Sequence, residues 1–265
     1  MPLTLTQRSE PSYRNGFARS AAESASPNLY KGLVGAWVPA MGPTGMTLRD
    51  IVGENHGTLT NMDPATDWVV GEKGYAIDLD GTPQRVQLAN TITLADDWSA
   101  SVWVARESLF DEALLMSSSS FQYLIFYDGT GDTEIYTRST SPTHASKTFD
   151  LGTTGVWHNI VLTRAGATVE WFVDGDSLGT DSSFSGNTWE FDRIGSNAQV
   201  GDERALDGKV GPSMIWDRCL VPNEIQHLYT DPLAPFRRKQ YIAYSSQAAA
   251  AATIVPTRML LGVGI

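Results

Sequence analysis

The sequence predicts an all-β fold: a two-sheet antiparallel jelly-roll sandwich with one short C-terminal helix and extended N- and C-terminal arms. Three observations predict it. Residues 155–179 hold two apolar runs either side of Ala165-Gly166, closed by Asp174-Gly175. In the first run Ile160 and Leu162 alternate with Val161 and Thr163; in the second, Val169, Trp171 and Val173 alternate with Glu170, Phe172 and Asp174. Period-two alternation around a glycine turn is a β-hairpin, and one this long must sit in a larger sheet to bury its apolar side. Further strand-like runs recur at short intervals with turn residues between them. The composition agrees: 24 glycines, eight tryptophans and 42% apolar residues suit many short strands around an aromatic core.

Taken in order, residues 1–30 show no periodicity and read as an extended arm rich in Ser, Arg, Ala and Pro. Residues 33–38 form an apolar strand ended by Pro39, and residues 56–60 a short one. Residues 75–80 alternate, and Gly81-Thr82-Pro83 turns them into residues 85–88. Residues 99–106 make the next strand. Residues 121–127 and 133–138 read as a second hairpin about the Asp/Gly-rich stretch between them. The long hairpin follows, then strands at 189–194 and 209–216. The one helix starts at Pro222, suited to a first helical position, with Ile225, Leu228 and Tyr229 as its apolar stripe; Asp231-Pro232 ends it. Beyond lie a basic run, five alanines and an apolar end. The domain plan is an arm over 1–30, a sandwich over 31–231 and a second arm over 232–265.

Charge and cysteine usage narrow the function. The net charge of −11 divides into +1 on residues 1–30, +4 on residues 232–265 and therefore −16 on the body between them. Such a body excludes nucleic acid as a partner. The basic C-terminal segment beside it, with Arg237, Arg238, Lys239 and Arg258, is read as docking on an acidic neighbour or on another copy of the chain. The apolar end around Leu260 and Leu261 suits strand addition to a partner's sheet edge. Cys219 is the single cysteine, so no intramolecular disulfide forms. No apolar run is long enough to span a bilayer, and the N-terminus lacks the apolar stretch of a signal peptide.

Reactive chemistry is poorly represented. The four histidines have no ligand spacing, Cys219 is read as a core thiol, and the glycine-rich stretches lack a phosphate-loop lysine. For sugar binding, most tryptophans fall in strand patterns and are assigned to the core, Trp157 included. Trp68, Trp98 and Trp189 lie at loop or strand edges, where a ring can stack on a sugar. Phe121, Tyr123 and Tyr127 alternate along one strand and suit a concave face.

Four segments then carry a resemblance: Gly32-Leu33-Val34-Gly35-Ala36-Trp37; residues 75–88 with Leu79-Asp80-Gly81; Trp157-His158-Asn159-Ile160-Val161 with Phe172-Val173-Asp174-Gly175; and Leu206-Asp207-Gly208-Lys209-Val210 running to Ile215-Trp216-Asp217 and the Glu224-Ile225 helix. In this order they resemble the laminin-G-like jelly roll of the concanavalin A-like lectin/glucanase fold. The resemblance implies calcium at the sandwich rim, with Asp80, Asp202 and Asp207 as ligands, although Gly211-Pro212-Ser213 stands where relatives often place acids. Asp80 and Asp207 are equally explained as turn caps before glycine. Glycosidases of the fold carry a Glu-x-Asp-x-x-Glu strand; Glu170 and Asp174 do not reproduce it, so no catalysis is expected. The segment from Leu228-Tyr229 through Asp231-Pro232 to Pro235-Phe236-Arg237-Arg238 resembles the end of such domains in tailed-phage structural proteins. The reading is thus a non-catalytic virion protein, in the capsid decoration or tail, held by its arms to other virion proteins and adhering through its sandwich, with host surface polysaccharide as a partner and Trp68, Trp189, Tyr123 and Tyr127 as glycan contacts. The alternatives are a free-standing carbohydrate-binding module and a degenerate glycoside hydrolase.

Overall fold

A computed structural model describes residues 16–71, 74–108, 112–116, 123–127, 134–138, 144–150, 153–184, 188–196 and 204–239. Among these, sixteen strands form two antiparallel sheets of eight; the two-sheet antiparallel class is the one the alternation predicts. The first sheet runs β14 (Asp176–Asp181), β13 (Thr168–Val173), β12 (Trp157–Ala165), β7 (Trp98–Arg106), β16 (Asp207–Trp216), β5 (Gly74–Asp80) and β4 (Trp68–Gly71). Strand β1 (Leu33–Trp37) also pairs with β16. Residues 207–210 of β16 take β5 as neighbour and residues 213–216 take β1, so one long strand serves two partners on the same edge. The second sheet runs β11 (His144–Thr148), β10 (Glu134–Arg138), β9 (Tyr123–Tyr127), β8 (Glu112–Met116), β15 (Trp189–Ile194), β6 (Arg85–Leu94), β3 (Gly57–Thr60) and β2 (Thr47–Leu48). The expected hairpins are present, with Ala165 paired to Thr168 and Glu134 paired to Tyr127.

Two cores flank the first sheet. Ile160, Leu162, Val169, Trp171 and Val173 face the second sheet and share one core with Trp98 of their own sheet, Phe184 of a loop, and Trp189 and Phe191 of the second sheet. Their hairpin neighbours Val161 and Phe172, which are cross-strand partners, face the other way. There they pack beneath α1 (Pro27–Tyr30) and α2 (Pro222–Thr230) with Leu29, Met214, Trp216, Ile225, Leu228 and Phe236. Each such large apolar side chain stabilises the fold by about 1.5–3 kcal/mol when fully buried. A strand with apolar residues on both faces marks a sheet covered on both sides.

That second core corrects the arms. Residues 16–30 and 232–239 are parts of the domain. Trp216 Nε1 donates to Leu29 O at 2.7 Å, and Arg218 Nε to Lys31 O at 2.8 Å. The two terminal segments also pair with each other: Ala18 N–H donates to Phe236 O (2.8 Å), Ala25 N–H to Arg237 O (2.7 Å) and Lys239 N–H to Glu23 O (2.9 Å). A short polar segment lacking periodicity reads as an arm, but its few apolar residues, Phe17, Leu29 and Tyr30, suffice to seat it. The predicted helix forms. Its N-terminus is held by Glu224, which accepts the Val221 N–H (3.0 Å) and binds Arg218 through both carboxylate oxygens (2.7 and 2.9 Å). Ile225 and Leu228 are buried, and Tyr229 stacks on Trp103 with centroids 5.9 Å apart.

Candidate functional site

The helices and the terminal segments cover the outward side of the first sheet. On the second sheet the outward side carries no such cover among the described residues. There the strands alternate, apart from register shifts between β6 and β15 and in β8. Val86, Leu88, Leu59, Phe191, Ile194 and Ile135 are buried, while Arg85, Gln87, Thr58, Arg193 and Glu134 fall between them and are wholly or partly exposed. Directly opposed residues in an antiparallel pair share a face. The registers therefore define one lateral row crossing seven strands: Thr58, Gln87, Arg193, Met116, Tyr123, Arg138 and His144. At about 4.8 Å per strand the row is about 29 Å long. A bulge shapes its centre: between Phe191 and Arg193 the partner on β6 jumps from Ile92 to Gln87. Gln87 closes the gap by donating Nε2 to Asp192 O at 3.0 Å, and its Oε1 accepts Arg85 Nε at 3.4 Å. Arg193 Nε lies 3.7 Å from Asp192 Oδ1. Burial, then the nearby Arg85 charge, lower the Arg193 pKa from its ordinary value.

A family model described as the concanavalin A-like lectin/glucanases superfamily matches residues 80–226. The chain belongs to that family. The match runs from the end of β5 into α2, so it takes in most of both sheets. A search of curated proteins finds no match. Among solved structures, domain 4 of AbnA, a GH43 extracellular arabinanase from Geobacillus stearothermophilus solved with arabinotriose, is similar at a TM-score of 0.57 and 18% identity, over 74% of this chain and 98% of that one. Trypanosoma rangeli sialidase is similar at a TM-score of 0.55 and 15% identity, over 75% of this chain but 32% of the sialidase. The botulinum neurotoxin serotype D ligand-binding domain, solved with N-acetylneuraminic acid, gives 0.55 and 13% identity over 75% of this chain and 50% of that one. At these identities the likeness establishes a shared fold and no residue roles.

Within this concanavalin A-like sandwich the candidate sugar-stacking tryptophans are corrected. Trp189 is fully buried, its ring 4.9 Å from Trp98 and 5.7 Å from Phe184, because it is in phase with Phe191 on the inner face of β15. Trp98 is equally buried. Trp68 is 8% exposed, opposite Ile77, and its Nε1 donates to Gly45 O at 2.9 Å. None offers a ring face to a ligand. The partly exposed tryptophan is instead Trp157, expected in the core. Its ring lies against two glycines: a Cβ on Gly71 would come within 3.1 Å of it, and one on Gly211 within 3.2 Å. Tyr123 and Tyr127 stand on β9 in alternation with buried Leu124 and Phe126, and Tyr123 is on the lateral row. Phe121 lies outside the described residues.

The two rim aspartates stand in register: Asp80 and Asp207 are direct partners across β5 and β16. Asp80 Oδ1 accepts the Thr82 N–H at 3.0 Å and its hydroxyl at 2.5 Å, which is the turn-capping geometry. Calcium takes six to eight oxygens. Among the described residues no three acidic, histidine or cysteine side chains gather at metal-binding spacing. Asp202 lies outside the described residues.

The basic candidates for partner binding are engaged within the chain. Arg237 is paired with Asp231 (3.0 and 3.1 Å) and Arg238 with Glu23 (3.5 Å), and Lys239 Nζ donates to Ala22 O (3.0 Å). Arg258, Leu260 and Leu261 lie outside the described residues. One polar pair escaped sequence reasoning. His158 Nδ1 is 2.7 Å from Asp174 Oδ2, while Asp174 Oδ1 accepts the Asn159 N–H at 2.8 Å. Asp174 holds a left-handed φ of 53°, so the carboxylate closing the hairpin is a backbone clamp. Glu170, four residues back along the chain, accepts a hydrogen bond from Ser177 Oγ at 2.5 Å. No helix among the described residues is long and apolar enough to cross a membrane.

Proposed function

We propose that the chain is a non-catalytic carbohydrate-binding sandwich whose ligand lies along the outward face of the second sheet. The observation that carries this reading is the lateral row from Thr58 through Gln87 and Arg193 to Tyr123: hydroxyl, amide, guanidinium and aromatic residues in register on an uncovered sheet. These groups bind sugar hydroxyls and ring faces, and a sheet holds them on a rigid backbone. The saccharides in the arabinanase-domain and neurotoxin-domain structures support the reading by analogy of fold. Wild-type protein on a glycan array should bind at least one saccharide, and Gln87→Ala and Tyr123→Ala should each weaken that binding about tenfold, in line with the loss of one hydrogen bond to a charged or constrained partner. A blank array would overturn the reading. Release of reducing sugar from a bound glycan would overturn the non-catalytic part of it.

The adhesion role extends the same proposal. The segments 16–30 and 232–239 lie beside one another, since Phe17 bridges to Arg237 and Lys239 to Glu23. Attachment to a larger particle, such as the virion that the tailed-phage resemblance implies, would then come from one pole of the domain. Co-sedimentation with particles from a producing culture tests this: protein recovered wholly in the soluble fraction would leave a free-standing module.

A further inference from the structure

We propose that Arg85 and Arg193 together form a site for the carboxylate of an acidic sugar on this face. The inference rests on the carbohydrate reading above and names the class of saccharide. Arg193 stands opposite Gln87, and Arg85 is two residues along β6 from Gln87 on the same face, close enough for its charge to depress the Arg193 pKa. In a chain with 30 acidic and 19 basic residues, two neighbouring guanidinium groups would be expected to carry carboxylate partners. The compensation observed is loose. Arg193 Nε is buried and has no hydrogen-bond partner, its nearest carboxylate oxygen being 3.7 Å away on Asp192. Arg85 makes two hydrogen bonds, both 3.4 Å long and both to neutral oxygens, Gln87 Oε1 and Pro83 O.

The Arg193 side chain is 13% exposed, so packing holds the guanidinium in place. Pre-organised guanidinium forks bind carboxylates through paired, charge-assisted hydrogen bonds with little ordering cost. Gln87 and Thr58 lie next along the row, where ring hydroxyls of the same sugar would fall, and Arg138 occupies the row three strands further on. A polyanion carrying more than one charge per unit is disfavoured by the acidic body. A saccharide with one carboxylate per ring or fewer matches both the arginine pair and the polar row.

Trigalacturonate and 3′-sialyllactose serve as acidic probes, with maltotriose and lactose as neutral counterparts, in calorimetric titrations at low salt. The expected result is that one acidic probe binds roughly tenfold more tightly than its neutral counterpart, as a charge-assisted pair requires. Which probe wins distinguishes a uronate from a nonulosonate ligand. The preference should vanish in Arg85→Gln, the less constrained position, and in Arg193→Lys, which keeps the charge and loses the fork; unchanged thermal midpoints show that both variants fold. Equal binding of acidic and neutral probes overturns the inference and leaves the carbohydrate reading standing, as does an acidic preference that survives in both variants. No binding of any probe, with a blank array, overturns both.

Discussion

At Asp78 the balance of burial and neighbouring charge disfavours the carboxylate. Burial raises its pKa from the ordinary 3.8; Lys209, 3.9 Å away, opposes this, and Asp67, Asp207 and Asp80 add to it. A carboxyl whose folded pKa is raised binds its proton more tightly in the folded than in the unfolded chain. Its contribution to stability is therefore present at low pH and is lost as pH rises through the interval above 3.8. Asp78→Asn should accordingly gain stability relative to wild type between pH 3 and pH 7, read as diverging denaturation midpoints; parallel curves would show that Lys209 fully compensates. Trp189 teaches a related lesson. Its position just after a loop suggested an exposed ring, yet a tryptophan in phase with Phe191 has more to gain from the interior. The strand and its bounds, 189–194, were legible in the sequence; which of its two faces turns inward was not.

At the scale of elements, the long hairpin and helix α2 depend on each other. Phe172 leaves the hairpin on the side away from the second sheet and needs Ile225 and Leu228 as cover. The helix is nine residues long, too short to persist alone, so its docking and its N-terminal bonds decide whether it forms. Glu224 both satisfies the Val221 N–H and fixes Arg218, which in turn ties α2 to the segment around Lys31. Glu224→Ala should cost about 1–2 kcal/mol, the range for losing a helix cap, measured by urea denaturation. A loss below about 0.5 kcal/mol, the level of ordinary surface changes, would mean the helix is held by packing alone. The hairpin was readable because its alternation is strong on both faces. Strand β8 was not: Glu112-Ala113-Leu114-Leu115-Met116 has helix-forming residues and a broken register, and only pairing with β9 and β15 makes it a strand.

For the whole molecule, the sandwich is one body closed by its own terminal segments. Phe236 is 1% exposed, seated against Tyr30 with centroids 6.0 Å apart. Trimming the chain to residues 31–231 removes Phe236, Leu29 and the hydrogen bonds between the two terminal segments. Relative to residues 16–239, this shorter chain should lose at least about 3 kcal/mol, the lower range for deleting a large core aromatic. That corresponds to a fall of about 10 °C in Tm. An unchanged Tm would restore the terminal segments to the role of independent arms. The same closure leaves the outward side of the second sheet as the broad uncovered surface among the described residues, which is why the candidate site lies there.

The sequence by itself determined the all-β class, the hairpins, the helix and membership of the concanavalin A-like sandwiches, because period-two alternation and glycine turns are local properties of the chain. Only the tertiary structure decided that residues 16–30 and 232–239 belong to the domain, that Trp68 and Trp189 are core while Trp157 is partly exposed, and that Asp80 faces Asp207. It alone assembled the row through Thr58, Gln87, Arg193 and Tyr123. Those residues come from strands distant in sequence, and their register is set by a bulge in β6, where residues 88–91 stand against Asp192, and by the order of strands in the sheet. Neither leaves a local trace in the sequence, because both follow from long-range pairing.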